Sequence, residues 1–173
     1  MTAASITGRH LPSRLAGKRS VNLAGAIYGT IVATAVVAGL GERASVSAPR
    51  GLWILLATSV FFWAAHVYAS LLAQRLQRHR GTTRDDIKAA VTRDAPLFNS
   101  SLPVAVPLVL GCFGVFGAHT ALGVATALGV VALVGWGIRL AYTEGFSPWG
   151  IVAAASLNAA VGMFIVGLKV AVR

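Results

Sequence analysis

The chain has 173 residues, 56% of them hydrophobic and only 12% charged, where a soluble domain carries about 25% charged residues. With a mean hydropathy of +0.74 this excludes a soluble monomer and makes lipid the natural solvent. The net charge of +10 sits between apolar runs rather than on a polar surface with base-stacking aromatics, which argues against nucleic acid and for membrane lipid as a partner.

In chain order, residues 1–20 form a basic segment with Arg9, Arg14, Lys18 and Arg19. The apolar stretch over 22–41 follows, longer than the roughly 7–15 residues of a signal-peptide core. We read it as a retained first span, although Ser45-Val46-Ser47-Ala48 is a passable cleavage context. Further apolar stretches lie at 52–73, 97–117, 121–142 and 149–169. Each is close to the ~20 helical residues that cross about 30 Å of hydrocarbon. None shows the alternation of a transmembrane barrel, so helices are expected, each satisfying its own backbone.

Between the second and third spans, 74–96 is the one sizeable extramembrane piece. Thr83 followed by Arg84, Asp85 and Asp86 predicts a helix start, continuing through Ile87, Ala90, Val91 and Asp94 to Pro96. We expect an amphipathic connector lying on the headgroups. Gly145, Ser147 and Pro148 predict the turn before the last span.

Orientation follows from the Lys and Arg in the loops. With the N-terminus inside, the inner side holds eleven (Arg9, Arg14, Lys18, Arg19, Arg75, Arg78, Arg80, Arg84, Lys88, Arg93, Arg139) and the outer side four (Arg43, Arg50, Lys169, Arg173). The expectation is an all-α polytopic protein with five spans over 21–173, N-terminus inside and C-terminus outside. A bacterial-type inner membrane suits that charge bias and the Ala/Gly/Val/Arg-rich composition.

The acids Glu42, Asp85, Asp86, Asp94 and Glu144 all read as loop or connector residues, so no carboxylate is expected within a span. His66 is the foremost polar candidate, sharing a helical face with Ser59, Trp63 and Ser70. Interhelical hydrogen bonding is the plainer role for it, as for Asn158. Arg139 and Lys169 suit snorkelling to the headgroups, and Trp53, Trp149, Tyr142 and Phe146 suit interfacial anchors. Trp63, Trp136 and Cys112 read as packing residues. Gly25 and Gly29 form a GxxxG that lets helices approach closely, and we expect a homodimer paired through this first span. Pro103 and Pro107, behind Asn99, Ser100 and Ser101, predict a kink that becomes a hinge or a polar opening. No GxSxG, Walker loop, HExxH or paired cysteine is present, so neither an enzyme nor a cofactor is expected.

The chain resembles the vacuolar iron transporter family in plan and in two patterns. That family's first helix opens with Gly-x-x-Asp-Gly, against Gly25-Ala26-Ile27-Tyr28-Gly29, and runs on to Ala-Gly, against Ala38-Gly39. Its second ends in Ser-Met-Ala-Ala-Gly-Glu-Tyr-x-Ser, against Phe62 to Ser70. The resemblance implies a five-helix fold and a homodimer with a path between first helices. It does not carry the chemistry: Tyr28 replaces the metal-binding Asp, Trp63 the Met and Val67 the Glu, and the connector lacks the metal-gathering glutamates. Two functions are therefore expected as alternatives. One is a divergent small-ion transporter or channel lined by Tyr28, His66, Tyr68 and Asn158, its metal ligands unknown. The other is a non-transporting membrane subunit binding lipid or partner proteins of unknown identity.

Overall fold

The computed structural model describes residues 13–41, 46–78 and 81–171. The first twelve residues of the expected basic segment, Glu42, Arg43, Ser45, Arg80 and Arg173 lie outside them. The described residues form six helices: α1 (Ser13–Leu40), α2 (Ala48–Arg78), α3 (Arg84–Asn99), α4 (Leu102–Cys112), α5 (Ala118–Thr143) and α6 (Pro148–Ala171). Four of them (α1, α2, α5 and α6) are long and apolar enough to cross a membrane. The α3–α4 pair, bent by 56°, makes a fifth when counted as one span.

The expected span over 97–117, kinked at its prolines, takes the form of the second part of a bent pair, broken at Ser100 and Ser101. The connector helix does not stop at Pro96 but runs through it to Asn99, held by a face of Ala90, Asp94 and Leu97 buried in the bundle. The chain then breaks at Ser100 and Ser101. Pro103 has no N–H for the Asn99 carbonyl, so the α-helical ladder cannot continue there. The serine hydroxyls take over part of the lost pairing: Ser100 Oγ donates to the Leu97 carbonyl at 2.9 Å and Ser101 Oγ to that of Phe98 at 2.7 Å.

α4 is only 11 residues, about 17 Å long at 1.5 Å per residue. Gly114, at φ 79°, ends it: the Gly114 N–H bonds to the Gly111 carbonyl and the Val115 N–H to that of Leu110. That is a Schellman motif, which a glycine in the left-handed region makes easy. A second, at Gly145 (φ 68°), ends α5 through bonds from Gly145 and Phe146 to Tyr142 and Ala141. Pro148 opens α6, as its fixed φ and missing donor favour.

The bent pair runs the length of α2. It starts a few residues after α2 ends, and at its far end Gly111 packs against Ala48, the first residue of α2, and against Ala121 of α5. Leu108 lies against Gly51 nearby. Leu40, Val46, Leu55, Val104, Leu108 and Leu122 belong to one buried cluster, so α1's end, α2's start and α4 are packed together.

α1 and α5 form the centre. The apolar window of α1 is 50% buried, against 17% for α2 and 11% for α6. Around α1 pack α2, α3, α5 and α6, and α6 rests chiefly on α5. Glycines set the close approaches. A Cβ on Gly129 would overlap the Thr34 side chain, one on Gly137 would meet the Ala154 carbonyl at 2.8 Å, and one on Gly162 would meet Val130 at 2.9 Å. The exposed Trp53, Trp149, Tyr142 and Phe146 stand near helix ends, where interfacial anchors belong.

Candidate functional site

Thr30 is the polar centre of the bundle. It lies in the apolar stretch Leu23–Leu40, seven residues from one end and ten from the other, or about 10 and 15 Å at 1.5 Å per residue. Its side chain is 0% exposed. The hydroxyl has one hydrogen to give. The Ala26 carbonyl, at 2.8 Å, is its close acceptor, and the Ser100 carbonyl at the α3–α4 break is a longer one at 3.4 Å. The hydroxyl oxygen in turn accepts from Trp136 Nε1 of α5 at 3.2 Å. One threonine therefore ties α1, the break and α5 together.

Its neighbours extend the polar seam. Thr34, also fully buried, donates to the Thr30 carbonyl at 2.7 Å and packs into the space left by Gly129. The guanidinium of Arg139 lies over the Trp136 ring, 5.6 Å from its centre and within cation–π range. Gly29 lets the break come close: a Cβ there would overlap the Leu97 carbonyl and Ser100 Oγ. The pairing expected of the GxxxG is thus used inside the chain, against α3. Gly25 is looser, its nearest such neighbour being the Leu97 nitrogen at 3.8 Å.

Asp94 corrects an expectation. It was assigned to the connector, yet its side chain is only 4% exposed and lies on the buried face of α3, two turns before the break. Arg93 Nε meets Asp94 Oδ1 at 3.1 Å and keeps the charge paired. The packing of α3 onto α1 and α2 causes the difference, for a connector free in water would leave Asp94 exposed. Cys112 is a second correction, being exposed at the end of α4 rather than in the core.

The four path candidates do not converge. Tyr28 on α1 is 48% exposed and makes an edge contact with Phe62 of α2, ring centres 6.4 Å apart. His66, one turn on from Phe62, is exposed, whereas Ser59 on its expected face is buried and Trp63 and Ser70 are half-buried. Tyr28 and His66 therefore belong to the α1–α2 side of the bundle. Tyr68 is 68% exposed and, two residues on, lies about 200° further round the helix from His66. Asn158 sits apart in the α5–α6 seam beside Gly137, donating to the Ala154 carbonyl at 3.0 Å. Trp63 Nε1 is buried without a hydrogen-bond partner among the described residues.

Among the described residues no group of three or more His, Cys, Asp or Glu could hold a metal ion. Sequence reasoning missed Thr30 and Thr34. The available signal was two threonines four apart in a span otherwise of small and aliphatic residues, which puts both hydroxyls on one face.

The apolar helices are compatible with a multi-pass membrane protein. No family model matches the chain, and no curated protein or solved structure matches it either.

Proposed function

We propose that the protein is a small-ion or small-solute transporter or channel of the inner membrane, with five spans and an inside N-terminus. The observation that carries this reading is the break at Ser100–Ser101, where an otherwise apolar bundle brings hydroxyls, carbonyls and an indole N–H from three elements together. Discontinuous helices are a recurrent device for binding solutes within membranes, because unwound backbone supplies polar groups that a continuous helix hides. Counting α3–α4 as the third span gives the orientation that the basic residues favour.

The resemblance to vacuolar iron transporters enters as support for the plan alone. In this reading two copies pair along α1 and α2, which would cover Tyr28 and His66, and Asn158 and Tyr68 serve packing instead. A histidine facing hydrocarbon is costly, and a second copy relieves that cost.

A second reading is favoured by one specific observation. The hydroxyls of Thr30, Thr34, Ser100, Ser101 and Thr126 and the Asn158 amide all donate to backbone carbonyls. Such closed bonding suits a non-transporting subunit whose polar groups only hold helices together.

Flux of alkali and divalent cations into proteoliposomes across a pH gradient separates the two. Transport predicts uptake above empty vesicles that His66→Ala and a Ser100→Ala/Ser101→Ala variant each reduce at least tenfold with folding intact. No uptake by well-folded protein sinks that reading and leaves the subunit role.

A further inference from the structure

We infer that the first turns of α3 are a binding site for an anionic phospholipid headgroup at the inner face of the membrane. This does not depend on transport.

α3 carries three strips of different chemistry. Ala90, Asp94 and Leu97 are buried in the bundle. Beside them run Ile87, 45% exposed, and the half-buried Val91, an apolar edge left partly open among the described residues. Beyond that edge stand Arg84 and Lys88, exposed and one turn apart. An interfacial helix is built in this way: the apolar edge enters the acyl boundary and the long basic side chains reach the phosphates from above. The 56° bend to α4 inclines α3 away from the line of the span. Arg75, in the last turns of α2, is exposed as well.

The opposing charges are largely engaged elsewhere. Asp86 caps the helix, accepting from the Thr83 N–H at 3.0 Å and from Thr83 Oγ1 at 2.7 Å. Asp94 pairs with Arg93. Asp85 and Asp86 both keep their negative charge, but over 74–96 Arg75, Arg78, Arg80, Arg84, Lys88 and Arg93 outnumber Asp85, Asp86 and Asp94, so this segment is net positive against a phosphodiester. The capping box fixes the first turn, and with it the spacing of Arg84 and Lys88, before any lipid arrives. Charge complementarity and the adjoining apolar edge together select a lipid over a soluble anion, since only a lipid offers both a phosphate and a chain.

The test is native mass spectrometry of the purified full chain in detergent with phosphatidylglycerol and with chain-matched phosphatidylcholine. Phosphatidylglycerol should be retained preferentially. Arg84→Gln with Lys88→Gln should weaken it about 25-fold, from about 1 kcal/mol for each basic residue at the surface. Ile87→Asn should weaken it a few-fold with no change of charge, whereas Arg50→Gln at the other end of α2 should leave it unchanged. Equal retention of phosphatidylcholine overturns the inference, as does phosphatidylglycerol binding that the double variant leaves intact. Competition by free glycerol phosphate as strong as by the lipid overturns it too, in favour of a soluble anion.

Discussion

The indole Nε1–H of Trp136 donates to Thr30 Oγ1 at 3.2 Å, joining α5 to α1 in the most buried part of the bundle. Thr30→Val keeps the shape and removes the hydroxyl, leaving the indole donor unpaired and the Ser100 carbonyl without its long contact. A buried donor left unsatisfied costs about 1–3 kcal/mol. In membranes the measured coupling is smaller, about 0.6 kcal/mol on average and up to about 1.7. A double-mutant cycle with Trp136→Phe, read by reversible unfolding in mixed micelles, should give a coupling within that membrane range. Additivity would show that the two groups do not interact.

Gly29 and Gly39 lie on the same helix and should respond oppositely to alanine. A Cβ at Gly29 has no room, for it overlaps the Leu97 carbonyl, and backbone cannot move aside as a side chain can. Overpacking of this kind costs about 1–3 kcal/mol. Nothing lies within 4 Å of the same atom at Gly39, so Gly39→Ala should be neutral or slightly stabilising. Melting temperatures of the two variants in one detergent check the contrast.

Gly129→Ala should destabilise the α1–α5 contact, because the added methyl overlaps Thr34. Thr34→Ala removes the two nearest of the three side-chain atoms that it meets, leaving only the Thr34 Cβ at 3.0 Å. The double variant should therefore recover most of the stability lost by Gly129→Ala alone, a coupling expected only of residues in direct contact. Failure of that rescue would mean that the helices do not pack at this register.

Cys112 offers a direct test of the route taken by α3 and α4. It is the sole cysteine, is exposed, and follows Gly111, which packs against the start of α2. If the pair forms one span, a membrane-impermeant maleimide should label Cys112 in intact cells from the outside. Lys88→Cys in a Cys112→Ala background should label only after the membrane is opened. Labelling of both from the inside would make the pair a re-entrant loop.

The elements themselves were legible because their causes are local. Apolar length marked α1, α2, α5 and α6, and Thr83 with Asp86 marked the start of α3 through a capping box now seen in full. Pro148 and Gly145 marked the α5–α6 turn. Over 97–117 the prolines marked a kink, but composition averages over a window and hid the boundaries: Pro103 interrupts one end and Gly114 closes the other.

The sequence by itself determined an apolar helical protein, its loops and its charge asymmetry, since hydropathy and capping depend on neighbours along the chain. Only the tertiary structure decided that Gly29 serves α3, that Asp94 is buried beside Arg93, that His66 faces outward and that Thr30 joins three elements. A helix has several apolar faces of similar character, and which of them is covered depends on the helices that arrive from 70 or 106 residues away.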